Sequence, residues 1–315
     1  MKRAGVVLFS SLALSFCGTS VQSADSERGP KEAPYRYSPA NFFHSPLRPS
    51  VLAVFPLVGK AVKVPLPFDP GYVAFSPDGK SLYATAALDP TKPSDARTGL
   101  LKIEFNPTRV SNVPGSLEFV IFSVAVSGRE DKLVISGRRL ENGGPSCGVF
   151  ELNLSDGDAR QIFRSQDCDY LSAWNDLNLS PDGERALALH NRRLELLDLV
   201  TGTSRPIGPP EFRTGAWAPN GKWIAALDNS RPSQLFLIDP NNLSLRRRLG
   251  GTDGGVHWSP DSRYLLLFRN QLLCWFYSYT IETLEISTGK RSVIPNSRCS
   301  IQGGASGWVD RANVR

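Results

Sequence analysis

The sequence has few of the residues from which most catalytic and metal centres are built. Its 315 residues include three histidines, His44, His190 and His257, which stand far apart in the chain. No H-E-x-x-H or G-x-G-x-x-G motif occurs, and the glycine-rich stretch Gly250–Gly255 opens no predicted helix. These absences argue against a zinc peptidase and a dinucleotide-binding enzyme. We therefore expect neither a metal nor any other cofactor.

Clustered charge and long apolar runs are also scarce. The net charge is only +6, and the basic residues are scattered apart from one run, Arg246–Arg248. Because nucleic-acid binding usually depends on a clustered basic patch, we interpret these residues as solvated surface and expect no nucleic-acid partner. Beyond the amino terminus, no apolar run approaches the ~20 residues that a membrane-spanning helix needs. We expect a monomer that does not span a membrane.

The amino terminus has the pattern of a secretory signal peptide. A basic pair and an apolar stretch, Lys2–Phe16, precede small or neutral residues that permit cleavage before Ala24. The pattern predicts a signal peptide over residues 1–23 and hence a periplasmic or secreted protein. Cys17 is an alternative lipid-anchor site, but bulky Phe16 stands where that processing requires a small residue, so anchoring is the less favoured reading.

A turn motif recurs along the rest of the chain. An apolar residue leads into Ser-Pro-Asp-Gly or a close variant, and a run of strand-forming residues follows. A second marker, an apolar strand that ends in a polar turn, alternates with the first. The first marker occurs at Phe75–Lys80, Phe122–Gly137, Leu179–Glu184, Trp217–Lys222, Trp258–Arg263 and, truncated, Gly304–Asp310. The second occurs at Val54–Lys60, Ile103–Thr108, Glu151–Gly157, Leu196–Gly202, Phe236–Asn242 and Leu284–Gly289.

Six copies of two alternating markers predict an all-β, six-bladed β-propeller. Each unit supplies four strands, A to D, at a spacing close to the ~40–45 residues of a propeller blade. We divide the chain into residues 24–50, a polar, proline-rich arm or linker, and residues 51–315, the propeller. The carboxyl-terminal stretch Ala305–Asp310 and the early strands Val51–Leu57 and Ala61–Leu66 are expected to share one closing blade. Whether the arm supplies that blade's strand B stays open.

The turn motif resembles the TolB-type, WD-repeat-like β-propeller repeat of exported bacterial proteins. The resemblance rests on stretches such as Phe75–Lys80 and Trp258–Arg263 and extends over nearly all of the chain after the arm. It implies the fold and says little about function, because one fold hosts many functions. TolB proteins also carry an α/β domain before the propeller, for which the arm is too short.

The cysteines indicate disulfides. Four follow the predicted signal peptide, Cys147, Cys168, Cys274 and Cys299. An even number in an exported protein favours disulfide bonds, and no C-x-x-C spacing suggests a metal site. The first two are expected in the B–C connection and at the end of strand D of one blade, and the last two at the equivalent positions of another. This equivalence favours the pairs Cys147–Cys168 and Cys274–Cys299.

One face of the propeller is the expected binding surface. The B–C and D–A connections share a face, and several charged or aromatic residues fall in them. An acidic group around Cys168, which includes Asp176, is interpreted as solvated loop. The stretch Arg269–Thr280 is unusually apolar for a connection, so its aromatic residues are candidate contacts. The candidate partner-binding residues are Asp169, Tyr170, Trp174, Arg213, Asp253, His257, Trp275 and Tyr277.

Two classes of function fit these observations best, and a third is a purely structural or sensory domain of a larger complex. The first is a non-catalytic exported propeller that binds a protein, a peptide or an envelope component, and the absence of a recognisable catalytic constellation favours it. The alternative is a propeller enzyme of lactonase, cyclotransferase or lyase type with a site at the channel mouth. No catalytic, cofactor-binding or metal-binding residue can be named from the sequence.

Overall fold

Antiparallel β-strands make up almost all of the described structure. The computed structural model describes residues 37–45, 48–54, 62–65, 72–85, 99–105, 108–128, 131–140, 146–165, 175–208, 211–270, 278–294, 301–302 and 306–310. Within these ranges the chain forms 25 strands, β1 to β25, and one 3-10 helix, Ser116–Glu118. No helix in this part of the chain has the length and apolar character needed to cross a membrane.

Five sheets are each formed by four consecutive strands, which pair in chain order. We call them blades 1 to 5. Blade 1 contains β4 (Val73–Phe75), β5 (Ser81–Thr85), β6 (Leu100–Phe105) and β7 (Thr108–Asn112). Blade 2 contains β8 (Phe119–Val126), β9 (Lys132–Arg139), β10 (Ser146–Asn153) and β11 (Ala159–Ser165). Blade 3 contains β12 (Asn175–Leu179), β13 (Arg185–His190), β14 (Arg193–Asp198) and β15 (Thr203–Pro206). Blade 4 contains β16 (Phe212–Trp217), β17 (Ile224–Asp228), β18 (Ser233–Ile238) and β19 (Arg246–Thr252). Blade 5 contains β20 (Val256–Trp258), β21 (Tyr264–Asn270), β22 (Ser278–Glu285) and β23 (Arg291–Val293), and β24 (Ile301–Gln302) also pairs with β22.

A further sheet joins the two ends of the chain. Its strand order is β25-β1-β2-β3, so the last strand of the chain lies beside the first. Pro39 is opposite Trp308, and Ala40 is opposite Val54. The sequence left open which segment supplies strand B of this sheet. The structure shows that the arm supplies it, because β1 begins at Tyr37. The strands of this closing sheet are β1 (Tyr37–Ser45), β2 (Arg48–Val54), β3 (Val62–Pro65) and β25 (Ser306–Asp310).

The architecture is an all-β propeller, as the repeat predicted, but five blades form from consecutive strands and not the six that were predicted. Five of the predicted units correspond to blades 1 to 5, and the truncated unit contributes β25 to the closing sheet. Apolar side chains pack between neighbouring blades and form the core. Phe119 and Phe150 of blade 2, for example, meet edge to face with ring centroids 5.0 Å apart, and both pack with Tyr83 of blade 1.

The Ser-Pro-Asp-Gly turns are held by one recurring hydrogen-bond network. In blade 5 the hydroxyl of Ser259 donates to Asp261 Oδ1 at 2.6 Å and accepts the backbone N–H of Tyr264 at 2.9 Å. Ser76 and Ser180 make the same pair of bonds in blades 1 and 3. In blade 4 the position is Ala218, which has no hydroxyl. The motif is architectural, since the turns of blades 1, 3 and 5 use their serine and aspartate internally.

This network generates a prediction for stability. Replacing Ser259 by Ala removes the acceptor of a buried backbone N–H, so we expect unfolding free energy to fall by about 1–2 kcal/mol. Ser155→Ala is the matched control, because the Ser155 hydroxyl bonds Asn153 in an exposed turn. Urea unfolding followed by tryptophan fluorescence measures both variants. An equal loss in the two would contradict the role assigned to the turn serine.

Candidate functional site

The first strand of each blade lines a central channel. Residues of β4, β8, β12, β16 and β20, together with Trp308 of β25, surround a cavity of about 900 Å³. One end of the channel is bordered by the Ser-Pro-Asp-Gly turns, which we call the turn face. At the opposite end lie the B–C and D–A connections, which we call the loop face. Polar side chains, among them Asp176 and Arg213, line the channel near this second end.

Neighbouring inner strands are linked by hydrogen bonds across the blade boundaries. The hydroxyl of Ser123 accepts the N–H of Leu177 at 2.9 Å. Asn178 Oδ1 accepts the N–H of Trp217 at 2.6 Å. On the next boundary, the indole N–H of Trp258 donates to the carbonyl of Ala216 at 3.0 Å. Because the inner strands are tied to one another in this way, side chains at the channel wall have defined positions.

Three of the inner strands, β8, β12 and β16, have register shifts, and those of β12 and β16 lie at the loop-face end. The register of β12 shifts between Asn175 and Asn178, and that of β16 shifts between Phe212 and Thr214. A bulge inserts an extra residue and redirects its side chain. The bulges contain Asp176, with a φ of 50°, and Arg213. Both residues line the channel, one from each of two adjacent blades.

Asp176 and Arg213 form the electrostatic centre of the channel mouth. The Asp176 side chain is open to the channel but is otherwise surrounded by protein, and this burial raises its pKa above the ordinary value of 3.8. The positive charge of Arg213 lowers the pKa of Asp176 and offsets part of that rise. Arg213 is held in place by donating to Ser233 Oγ at 3.1 Å and to the carbonyl of Gly254 at 3.4 Å.

His257 is a second titratable group in the channel wall. It belongs to β20, and its ring meets Phe268 edge to face at a centroid distance of 6.1 Å. The channel gives it partial exposure, yet the surrounding protein lowers the pKa of His257 to about 4. The imidazole is therefore neutral at physiological pH and can act there as a hydrogen-bonding group. Its backbone carbonyl accepts the indole N–H of Trp308 at 3.1 Å.

A separate cavity of about 960 Å³ lies between blades 4 and 5 on the loop face. The B–C hairpin of blade 4, Asn229–Ser233, and the D–A loop around Asp253 both border it, so these two connections share a face as expected. Arg213 lines this cavity as well as the channel and so connects the two. The charged residues that line the cavity are Arg213, Arg231, Asp253, Arg269, Glu282 and Arg291.

The structure brings together those predicted residues that it describes. Arg213 and Asp253 border the cavity between the blades, and Arg213 and His257 line the channel. Arg213 and His257 were expected in D–A connections but lie within strands β16 and β20, because those strands begin earlier than the turn pattern suggested. The remaining predicted residues, Asp169, Tyr170, Trp174, Trp275 and Tyr277, lie outside the described part of the chain.

Several residues of the site were not predicted. Asp176 was interpreted as part of a solvated acidic loop, whereas it lies in β12 at the channel wall. Arg231, Arg269 and Arg291 come from three separate segments of the chain, and no local pattern connects them. The bulges that position Asp176 and Arg213 have no sequence signature of their own. Among the described residues, no group of three or more His, Cys, Asp or Glu side chains could hold a metal ion.

Of the four cysteines predicted to form disulfides, the structure describes Cys147. Cys147 is buried and is the second residue of β10, so it lies in strand C and not in the connection before it. Its sulfur is disulfide-bonded. Cys168, Cys274 and Cys299 lie outside the described residues. The two pairings therefore stay predictions.

Comparison with known proteins finds similarity at the level of the fold. No protein-family model matches the sequence, and no curated protein matches it. TolB from Acinetobacter baumannii aligns with a TM-score of 0.63 at 14% identity, over 86% of this chain and 66% of that one. A putative TolB from Agrobacterium tumefaciens gives 0.56 at 15% identity, over 82% and 88% of the two chains. A chain of a nidogen/laminin complex gives 0.59 at 10% identity, over 87% and 98%.

These alignments confirm the TolB-like β-propeller resemblance. The chain spans about two thirds of the length of the Acinetobacter protein, with 66% of that chain covered. At identities of 10–15%, the likeness concerns the path of the backbone and does not extend to the residues of the channel mouth. The function must be argued from the site itself.

The pKa of His257 gives a prediction for pH dependence. Its folded pKa of about 4 lies below the ordinary value of 6.5, so the unfolded chain takes up a proton before the folded chain does. Stability is therefore lost as pH falls from 6.5 towards 4, by at most about 3 kcal/mol. In His257→Gln this loss should disappear, while His190→Gln should keep it. Urea unfolding at pH 7, 5.5 and 4 measures the effect, and a constant difference between His257→Gln and the parent would refute it.

Proposed function

We propose that the protein is an exported, non-catalytic propeller that binds a protein or peptide through its loop face. The observation that carries the proposal is the position of Arg213, which a bulge directs to the junction between the channel and the cavity of blades 4 and 5. Charged groups from blades 4 and 5 and the loop between them converge there beside the apolar ring of Phe268. Surfaces that combine arginine with aromatic groups are typical of protein recognition.

The turn face offers less for recognition. Its Ser-Pro-Asp-Gly turns repeat the same small side chains, and Asp78, Asp182 and Asp261 each accept the hydroxyl of their own serine. A group already engaged in its own turn contributes little to a partner. The loop face, in contrast, differs from blade to blade.

The remaining parts of the proposal concern export and the loops. Residues 1–36 lie outside the described structure, so the signal peptide, the periplasmic or secreted location and the monomeric state belong to the proposal. We also propose the bridges Cys147–Cys168 and Cys274–Cys299. Each would hold a loop-face connection in one arrangement and so reduce the entropy lost on binding. The apolar stretch with Trp275 and Tyr277 is proposed as part of the same surface.

Capture from an envelope extract tests the choice of face. We expect Arg213→Ala, Asp253→Ala and the double change Trp275→Ala, Tyr277→Ala each to weaken binding of the captured partner by roughly 30-fold or more, as hot-spot residues do. Asp78→Ala, Asp182→Ala and Asn220→Ala are the matched turn-face controls and should bind like the parent. Circular dichroism verifies that each variant folds. Loss of binding in the turn-face set, with loop-face variants unaffected, would show that the wrong face was chosen.

Asp176 favours a second candidate, an enzyme of the lactonase class with its site at the channel mouth. A carboxyl group with a raised pKa in a cavity wall, beside a guanidinium, is suited to general acid–base catalysis. This candidate predicts hydrolysis of a simple lactone or ester at pH 7, and a rate at least ~100-fold lower in Asp176→Asn. Equal rates in the two proteins would contradict it.

The same variant has a stability signature that separates inactivity from misfolding. Because the folded pKa of Asp176 lies above its unfolded value, the stabilising contribution of the protonated form is complete below pH 3.8 and is lost as pH rises through the folded pKa. Neutral asparagine removes that loss. Asp176→Asn should therefore unfold at a higher temperature than the parent at pH 7, and the advantage should vanish near pH 3.

A further inference from the structure

We propose that the cavity between blades 4 and 5 binds an oxyanion group, a carboxylate or a phosphate, with Arg213 and Arg231 as its donors. The inference rests on the proposed function in one respect, since it takes the anion to be part of the partner. The first observation is the charge of the lining. Four guanidinium groups and two carboxylates face one cavity of about 960 Å³.

Two of the four arginines are used within the protein. Glu282 is buried, and its carboxylate lies 3.4 Å from Arg269 Nη1 and 3.9 Å from Arg291 Nη1. Arg291 also donates to the carbonyls of Gly251 at 2.8 Å and Leu249 at 3.1 Å. A buried carboxylate requires such partners, because an unpaired charge is costly in this environment. Arg269 and Arg291 therefore compensate Glu282 and form a fixed wall.

The other two arginines keep donor capacity. Arg213 bonds Ser233 and the carbonyl of Gly254, which are neutral acceptors, and it forms no salt bridge with a described carboxylate. A guanidinium has five N–H donors, and these two contacts occupy two of them. Arg231 is exposed at the cavity rim and makes no hydrogen bond or ion pair with any residue that the structure describes.

The hairpin that carries Arg231 is well defined. Asp228 Oδ1 accepts the backbone N–H of Ser230 at 3.0 Å and that of Gln234 at 2.7 Å, so it ties the two ends of the hairpin together. The hydroxyl of Ser233 donates to the carbonyl of Ser230 at 3.1 Å. Arg231 thus projects from a braced turn, and Arg213 projects from a bulge, onto the same cavity.

The donors determine the class of ligand. Guanidinium forks match the geometry of carboxylate and phosphate oxygens and bind them by paired, charge-assisted hydrogen bonds. The wall formed by Arg269, Glu282 and Arg291 is internally compensated, so Arg213 and Arg231 supply the groups for an incoming anion. An acidic side chain, a terminal carboxylate and a phosphate group share this chemistry.

Calorimetric titration of the folded protein with small anions tests the assignment. The probes are citrate, a tri-glutamate peptide and inorganic phosphate, at constant ionic strength set with sodium chloride. We expect saturable binding of at least one probe, weakened tenfold or more in Arg213→Gln and in Arg231→Gln. Arg205→Gln is the matched control for lost charge, because Arg205 is exposed on β15, the edge strand of blade 3, and does not line the cavity. It should change the affinity by less than twofold.

The outcomes separate the sources of the anion and the two proposals. Binding of citrate or tri-glutamate alone identifies a carboxylate site, and binding of phosphate alone identifies a phosphate site. No saturable binding, unchanged affinity in Arg231→Gln, or an equal loss in Arg205→Gln would overturn the assignment. Arg231 lies at an exposed turn, so its variant tests the site even if Arg213→Gln misfolds. Partner capture through the loop face could still succeed in that event, since it uses no small anion.

Discussion

The structure depends on how the inner strand of each blade satisfies the backbone hydrogen-bonding groups along its free edge. Each of these strands pairs with one neighbour in its own sheet, so one row of its backbone N–H and C=O groups has no partner strand. An unpaired strand edge is costly when it is enclosed. Ser123 and Asn178 accept backbone N–H groups of the following blade, and Trp258 and Trp308 donate to backbone carbonyls of the preceding one. The ring is thereby linked from blade 2 to the closing sheet by side chains.

The bulges in β12 and β16 follow from this arrangement. The inner strands are fixed by the hydrogen bonds of Leu177, Asn178 and Trp217. An extra residue nearer the loop face therefore projects into the channel or its mouth. Asp176 adopts a left-handed backbone conformation there, with a φ of 50°, which a non-glycine residue rarely does. Desolvation of its carboxyl group is a further cost, seen in its raised pKa. Strain and desolvation at one position are typical of functional sites, where stability is sacrificed.

The features that could be predicted from the sequence are those that a few consecutive residues determine. The Ser-Pro-Asp-Gly turn is complete within six residues, as the bonds of Ser259 show, so its recurrence could be recognised without the structure. The closing sheet followed from the truncated last unit that contains Trp308. Arg213 was expected in a D–A loop but lies within β16, because a bulge leaves no local pattern. The partnership of Glu282 with Arg269 and Arg291 joins three blade-5 strands in space and was not foreseen.

One side chain couples the two cavities of the loop face. Arg213 lines both, and its charge lowers the pKa of Asp176 in the channel. An anion bound beside Arg213 would offset that charge, so the pKa of Asp176 would rise further and the channel carboxyl would take up a proton more readily. By linkage, protonation of Asp176 would in turn leave Arg213 more attractive to the anion. Occupancy of the cavity and the protonation state of the channel are therefore connected through a single guanidinium group, which a bulge places between them.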